Sequence, residues 1–431
     1  MKKINIGIIG LGNVGSALIN YIEENHNYFL KKSLINFNII GISAKNKRKK
    51  RNFDINKYRW FDNPINIIKS DDCDVIVELI GDEKGISYDI IKNSLEQKIN
   101  VVTGNKALIA KNSEDLFKIA EKNNVLLLFE AAVAGGIPII NTLKNNLYLN
   151  NIKKISGILN GTTNYILTEM EKNNLSFKEV LKIAKIKGYT SDIEADLDID
   201  GLDSAHKLTI LSTICFASTL NFENNEISGI SNIKIEDINY ANKLNSKIKL
   251  ISESFIIDNK IYSVTSPKLI NNNFSFANVD GVLNAINIET DCLKNLFLEG
   301  EGAGGKATSC SVMADLFEIA LESKKLSLGH QFNNLNNFEK FDISNIESSY
   351  YLRIMAKDIP GVLSEITSSL TDLNISIEKI LQIPEDSKYN SAVPIIIVTH
   401  KIKKGYLNKA VDKIENLDFV LEKISILPIH Q

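Results

Sequence analysis

Residues 4–22, INIGIIGLGNVGSALINYI, carry the pattern that decides the fold. Residues 4–9 read as a buried strand, and Gly10-Leu11-Gly12-Asn13-Val14-Gly15 follows at once. Ala17, Leu18, Tyr21 and Ile22 then recur at helical spacing. A G-x-G-x-x-G turn between a strand and a helix serves three needs: a tight reversal, close approach of backbone to a pyrophosphate, and a helix N-terminus to receive its charge. Gly10, Gly12, Asn13, Val14 and Gly15 are therefore the expected dinucleotide contacts. The next strand, over 37–43, bears on which dinucleotide. An NAD site places an acid near its end for the ribose 2′-hydroxyl, whereas this chain continues Ser43, Ala44, Lys45 and then Lys47-Arg48-Lys49-Lys50-Arg51. A 2′-phosphate suits that loop, so NADP(H) is expected in preference to NAD(H), with Lys45 among its contacts.

Working outward, strand and helix alternate through 74–79, 88–98, 101–102, 111–123 and 125–130, which predicts a doubly wound parallel sheet. Ligands lie beyond the carboxyl ends of such strands. Two of those ends are Thr103-Gly104-Asn105-Lys106 and the run from Glu130 to Pro138. From about residue 151 the pattern changes. A strand over 152–159 meets Asn160-Gly161-Thr162-Thr163-Asn164, helices and an acidic stretch follow, and strands are expected at 248–257, 261–266, 283–288 and 294–298. Gly300-Glu301-Gly302-Ala303-Gly304-Gly305-Lys306 then returns towards the nucleotide and enters a helix over 308–323. This reads as an α/β substrate domain whose mixed sheet keeps a mostly exposed face. Residues 331–347 read as a linker, and from 350 onward the order βαββαβ is that of a ferredoxin-like unit. The expected division is 1–136 for the nucleotide, 137–330 for substrate and dimerisation, 331–347 as linker and 348–431 as the last domain.

The 431 residues are enough for several domains, and 50 basic against 52 acidic side chains leave a net charge of −2. That balance argues against nucleic acid or a membrane surface as partner and favours a small substrate. Cys73, Cys215, Cys292 and Cys310 are dispersed and read as reduced, buried thiols, which with the lack of a signal peptide or an apolar span predicts a cytoplasmic protein.

The remaining chemistry gathers in Gly188–Lys207, GYTSDIEADLDIDGLDSAHK. Asp203 and Lys207 lie four apart at an expected helix start, close enough to pair on one face. Together with GLGNVG at 10–15, VTGNKALIA at 102–110, FEAAVAGGIP at 129–138, NGTTNYIL at 160–167 and GEGAGG at 300–305, this stretch makes the whole chain resemble a homoserine dehydrogenase with a C-terminal ACT domain. The resemblance implies reversible NAD(P)-dependent interconversion of L-aspartate 4-semialdehyde and L-homoserine, on the branch to threonine, methionine and isoleucine. It assigns Lys207 and Lys106 as the catalytic lysines, Asp203 and Asp198 to the substrate, and Thr103, Lys106, Gly188 and Gly305 to the cofactor. It gives Glu130, Val133, Gly135 and Ile137 a monovalent cation, sodium, held mostly by backbone carbonyls. The ACT unit implies feedback by an amino acid, threonine, and a homodimer or homotetramer. The usual Gly-Tyr-(Ala/Thr)-Glu and Asp-Pro pattern is altered here, so Ser191, Asp192 and Glu194 all stand as candidates for the substrate ammonium.

Aldehyde reduction needs a hydride for the carbonyl carbon and a proton for its oxygen. A protonated lysine serves the second need, and acidic neighbours favour that charged form. Oxidation of the alcohol is accordingly expected to prefer alkaline pH. One enzymatic rival is an acyl-enzyme mechanism with Cys310 as nucleophile; a non-enzymatic rival is an amino-acid sensor.

Overall fold

The computed structural model describes residues 1–70, 72–322, 326–382 and 392–430, and for 192–194 the backbone alone. Five parallel strands form the first sheet in the order β2-β1-β3-β4-β5: β1 (Lys2–Ile9), β2 (Ile35–Ser43), β3 (Val75–Glu78), β4 (Asn100–Thr103) and β5 (Leu127–Leu128). Ile4, Ile6, Ile8, Val75, Val77 and Val102 are buried in it, as expected of parallel strands covered on both faces. The last strand is shorter than the run 125–130 suggests, because Glu130–Ala132 leaves the sheet as a 3₁₀ turn.

The helix Asn13–Glu24 follows β1 directly. A Cβ on Gly15 would sit 2.0 Å from the Gly10 carbonyl oxygen, so the turn closes only with glycine there. At Gly12 the case differs. Its φ of −78° suits any residue, and a Cβ would meet nothing within 4 Å. The protein itself leaves that space open.

The second sheet runs β11-β10-β6-β8-β9-β12, with β7 also paired to β9. Its strands are β6 (Ile152–Ile158), β7 (Glu226–Ile227), β8 (Ser246–Ile257), β9 (Lys260–Asn271), β10 (Leu283–Thr290), β11 (Leu296–Glu301) and β12 (Glu339–Lys340). The expectation of a mostly exposed face fails here: β8 and β9 are buried along most of their length on both faces. The residues read as a linker supply part of the reason. Glu339 pairs with Lys260, so this stretch adds a strand to the sheet. The acidic run is also more ordered than expected, forming a helix, Asp192–Ile199, before the helix Leu202–Phe216. The helix entered from the Gly-rich loop spans Gly305–Ala320, starting three residues earlier than the expected 308.

The last sheet is antiparallel, β15-β16-β14-β18, formed by β14 (Tyr350–Lys357), β15 (Ile377–Leu381), β16 (Ala392–Thr399) and β18 (Ser425–Pro428). A short β13 (Glu347–Ser348) pairs with β17 (Ile402–Lys403). One face of this sheet packs on the second domain: Tyr351, Ile396 and Leu427 share a core with Tyr240, Ile248 and Leu250. Within that contact the buried Arg353 guanidinium donates to both oxygens of Asp237, at 2.8 and 3.2 Å. Two of the cysteines read as buried, Cys292 and Cys310, are exposed. No described helix is long and apolar enough to cross a membrane.

Candidate active site

Three chain segments bring their ends together. Thr103 closes β4, and Asn105 caps the next helix by accepting from the Leu108 amide at 3.2 Å, which places Lys106 at its first position. Leu159 follows β6, and Asn160 caps the helix Gly161–Asn173 by accepting from the Thr163 amide at 2.8 Å. Gly201, at φ 84°, turns the acidic helix into Leu202–Phe216, with Asp203 in the first turn and Lys207 one turn on.

Asp203 is the meeting point. Its Oδ1 lies 2.9 Å from the Lys106 Nζ, and its Oδ2 accepts from the Lys207 Nζ at 2.7 Å and from the Asn160 Nδ2 at 2.9 Å. Burial would push its carboxyl up, but the two ammonium groups and the hydrogen bonds override that and hold it far below the usual carboxylate range. Lys106 and Lys207, distant in sequence, are thus neighbours across one carboxylate. They differ in setting: the Lys106 side chain is 42% exposed, whereas that of Lys207 is 10% exposed. Lys207 also donates to the Leu159 carbonyl at 2.6 Å. An ammonium has three N–H donors, so among the described residues two are committed and one remains.

Asp198 lies one step out. It accepts from Asn160 Nδ2 at 2.7 Å and from Thr190 Oγ1 at 3.0 Å, and burial, with the charge of Asp203 beside it, raises its pKa. Asn160 therefore bridges the two acids. Ser191 is exposed just before the acidic helix. The side chains of Asp192 and Glu194 lie outside the described residues. His206 is buried against Phe222, with ring centroids 4.7 Å apart, and burial, seconded by Lys111, pushes its pKa down to about 4. It is a neutral packing residue.

Asn160, Thr190 and Glu78 carry geometry that the sequence reading left without roles. Glu78, fully buried at the end of β3, accepts from Thr103 Oγ1 at 2.7 Å, Ser87 Oγ at 3.0 Å and the Ile80 amide at 2.7 Å. From the neighbouring strand it holds the β4 end through Thr103. The signal for Asn160 was present, since Asn before Gly-Thr-Thr at a strand end is a helix cap; that its amide would reach two acids was not.

The nucleotide turn opens on a groove of about 640 Å³ lined by Gly12, Asn13, Ser16, Lys49, Lys50 and Lys306, among others. Gly305 lies against the first helix, where a Cβ would come within 2.9 Å of the Asn13 carbonyl. The Gly-rich return loop does therefore meet the nucleotide turn. Lys45 is exposed past the end of β2, and Arg51 orders the basic loop by donating to the carbonyls of Asn46 at 2.7 Å and Lys49 at 2.8 Å. Gly188 ends the helix Phe177–Ile186 at φ 74°, with open space around it. Cys310 sits in the groove beside Tyr21 rather than with the Asp203 cluster.

Glu130 accepts from the amides of Ile140 at 2.9 Å and Asn141 at 2.7 Å, while its own amide donates to Asp315 at 2.9 Å. Burial raises both acids above their usual range. Ala134 and Gly135 both stand at φ 54°, so the backbone of 133–137 coils tightly, and the Gly135 carbonyl accepts from Ser311 Oγ at 2.6 Å.

The open space at Gly12 leads to a prediction. Gly12→Ala is expected to fold normally, with its thermal midpoint within a few degrees of the parent, yet to raise the Kd for NADPH on the order of tenfold or more, because the added methyl meets only ligand. Fluorescence titration and a melting curve on one preparation check it; weakened folding with unchanged affinity contradicts it.

Family models agree with this layout. The homoserine dehydrogenase model matches residues 138–317, the homoserine dehydrogenase NAD binding domain matches 10–130, and the ACT domain matches 350–428. The chain is 35% identical over 433 residues to a homoserine dehydrogenase of Neisseria gonorrhoeae, covering 99% of this chain and 98% of that one. A crystal structure of a homoserine dehydrogenase from Thiobacillus denitrificans superposes with a TM-score of 0.90 at 33% identity, over 100% of this chain and 99% of the other. A hyperthermophilic archaeal homoserine dehydrogenase in complex with NADPH superposes with a TM-score of 0.64 at 27% identity, over 75% of this chain and 99% of that one. With a dinucleotide fold, two lysines joined on one aspartate and full-length relatives in agreement, this chain belongs to the homoserine dehydrogenase family, oxidoreductases acting on a CH–OH group.

Proposed function

We propose that the chain interconverts L-aspartate 4-semialdehyde and L-homoserine with NADP(H) preferred and NAD(H) accepted. The observation that carries this is the pairing of Lys106 and Lys207 on Asp203 beside the β4 end. When bound, the nicotinamide nucleotide supplies or accepts the hydride. The open approach at Gly12 and the amides of the helix Asn13–Glu24 suit its pyrophosphate, with Val14, Thr103, Gly188 and Gly305 as further cofactor positions. Among the described residues Lys207 has one N–H left after Asp203 and Leu159, and that proton goes to the carbonyl oxygen as the alkoxide forms. Lys106, half in solvent, holds the substrate and stabilises the same oxygen. Asp203, with Asp198 behind it, and one of Ser191, Asp192 and Glu194 receive the substrate ammonium. The deciding assay is NADPH oxidation with aspartate semialdehyde; the absence of turnover with either nucleotide rejects the reading.

The nucleotide preference rests on the basic loop and on the NADPH held by the archaeal relative. Replacing Lys45, Lys49 and Lys50 together by Ser is expected to raise the KM for NADPH about tenfold or more while moving that for NADH by about threefold at most, since only the former carries a 2′-phosphate. Equal losses for both nucleotides contradict it.

A sodium ion at the carbonyls of Glu130, Val133, Gly135 and Ile137 belongs to the same reading. The donor set fits a hard monovalent cation, since a carbonyl already bonded, as Gly135 is to Ser311, keeps a second lone pair. The Glu130 carboxylate is engaged by Ile140 and Asn141, so its carbonyl is the ligand. Sodium chloride is expected to raise the thermal midpoint by a few degrees over choline chloride at equal ionic strength; identical curves reject the site. Feedback by threonine through the ACT unit, assembly as a homodimer or homotetramer, the division at 136, 330 and 347, and a cytoplasmic setting complete the proposal.

A further inference from the structure

Asn284, the second residue of β10, is fully buried, and neither its Oδ1 nor its Nδ2 has a hydrogen-bond partner among the described residues. An asparagine with both amide atoms unpaired in a protein interior is rare, because each has lost its water without a replacement. The chemistry above gives it no role.

Its place shows what an amide could serve there. In the pairing of β10 with β11, Asn284 lies opposite Gly300, where the run Gly300-Glu301-Gly302-Ala303-Gly304-Gly305 begins. A Cβ on Gly302 would fall 2.0 Å from the Asn284 Cγ, 2.1 Å from Oδ1 and 2.3 Å from Nδ2, so the amide lies against the bare Cα of Gly302. The following peptide rests on the coil at 133–137. A Cβ on Gly135 would lie 2.5 Å from both the carbonyl carbon and the carbonyl oxygen of Gly302, and the Gly136 amide donates to the Glu301 carbonyl at 2.9 Å. No backbone hydrogen bond among the described residues holds the peptide between Gly302 and Ala303. Three residues on from Gly302, Gly305 stands against Asn13 in the nucleotide turn. On its other side β10 pairs with β6, and the same register carried one step further sets Asn284 across from Leu159, whose carbonyl accepts from Lys207. Asn284 thus lies between the loop that meets the nucleotide turn and the strand end that anchors Lys207.

The loop can supply what the amide lacks. In an extended residue the N–H and C=O point to the same side, so Gly302 alone presents a donor for Oδ1 and an acceptor for Nδ2. Lacking a Cβ, Gly302 turns its backbone at small steric cost, and the amide already touches its Cα. We infer that Asn284 is a positioning residue for the nucleotide: its side-chain amide pairs with the Gly302 N–H and C=O when the dinucleotide binds, and so holds the loop at 300–305 against the glycine turn at 10–15. The loop has two arrangements, and the dinucleotide selects the one in which Asn284 is paired. Direct contact between Asn284 and a ligand is not required, since Gly302 covers the amide.

The test uses the full-length protein and reads nucleotide affinity apart from stability. Asn284→Leu keeps the volume and removes both polar atoms, so its thermal midpoint without nucleotide is expected at or above the parental value. Its Kd for NADPH, by fluorescence titration, is expected to rise about tenfold, the weight of two neutral hydrogen bonds, with the KM for the aldehyde at saturating NADPH within about twofold of the parent. The smaller Asn284→Ala carries the same affinity expectation in case leucine does not fold. Gly302→Ala is expected to lower the midpoint, because the atoms its Cβ would strike belong to Asn284, and the double variant of Gly302→Ala with Asn284→Ala to recover the midpoint but not the affinity. A Kd within about twofold of the parent in both single variants at 284 overturns the inference, as does parental affinity in the double variant or a loss confined to the KM for the aldehyde. The inference rests on the nucleotide binding proposed above. A parent that binds no NADPH rejects both, whereas a parent that binds it and leaves aspartate semialdehyde unreduced rejects the substrate alone.

Discussion

Lys207→Ala is expected to lower kcat on the order of 10³-fold while leaving the Kd for NADPH within about twofold of the parent, the loss typical of a removed proton donor and oxyanion partner. Three observations set that size. The Lys207 side chain is 10% exposed, so water does not replace its ammonium freely. Two of its donors are anchored at 2.6 and 2.7 Å, which aims the third without further ordering at the moment of reaction. Lys106 stays on Asp203 and is too exposed to substitute. Stopped-flow reduction of the aldehyde and a separate nucleotide titration check the two halves. A variant that keeps a tenth of the parental rate takes Lys207 out of the proton-donating role.

The second large effect is expected at Asp203. Asp203→Asn keeps the shape but removes the charge that two ammonium groups share, so kcat should fall about 10²-fold or more. Stability should drop by about 3–5 kcal/mol, the cost of stranding buried charge. The pH dependence gives an independent reading. Asp203 is held far below its unfolded pKa, so the unfolded chain binds its proton first as the solution is acidified. Its contribution to stability is full above the unfolded value near 4 and is lost as pH falls towards the depressed folded value. The parent should therefore destabilise more steeply than Asp203→Asn below about pH 4, and the two curves should converge in acid. Denaturation midpoints across that range check this; parallel curves mean that Asp203 carries no such linkage.

Fold class and family stood open to inspection of the chain because both rest on local order. G-x-G-x-x-G after a strand specifies its own turn, the period of apolar residues specifies strand or helix, and βαββαβ specifies a small antiparallel sheet. Asp203 and Lys207 were equally legible, being one helical turn apart. Where the reading went astray, long-range packing was responsible. The acidic run looked like a stretch ahead of a helix and is itself a helix. The residues taken as a linker pair with β9. Cys310 looked like a core thiol and faces the nucleotide groove, since its helix leaves that side uncovered.

What the amino-acid order determined by itself was the set of elements, their kind and the chemistry available to them. What only the tertiary structure decided was proximity: that Lys106 reaches the same carboxylate as Lys207, that Asn160 bridges Asp198 and Asp203, and that Arg353 crosses to Asp237. Periodicity and capping act over a few residues, whereas these contacts join segments tens to hundreds of residues apart, and their geometry exists only once the sheets have packed.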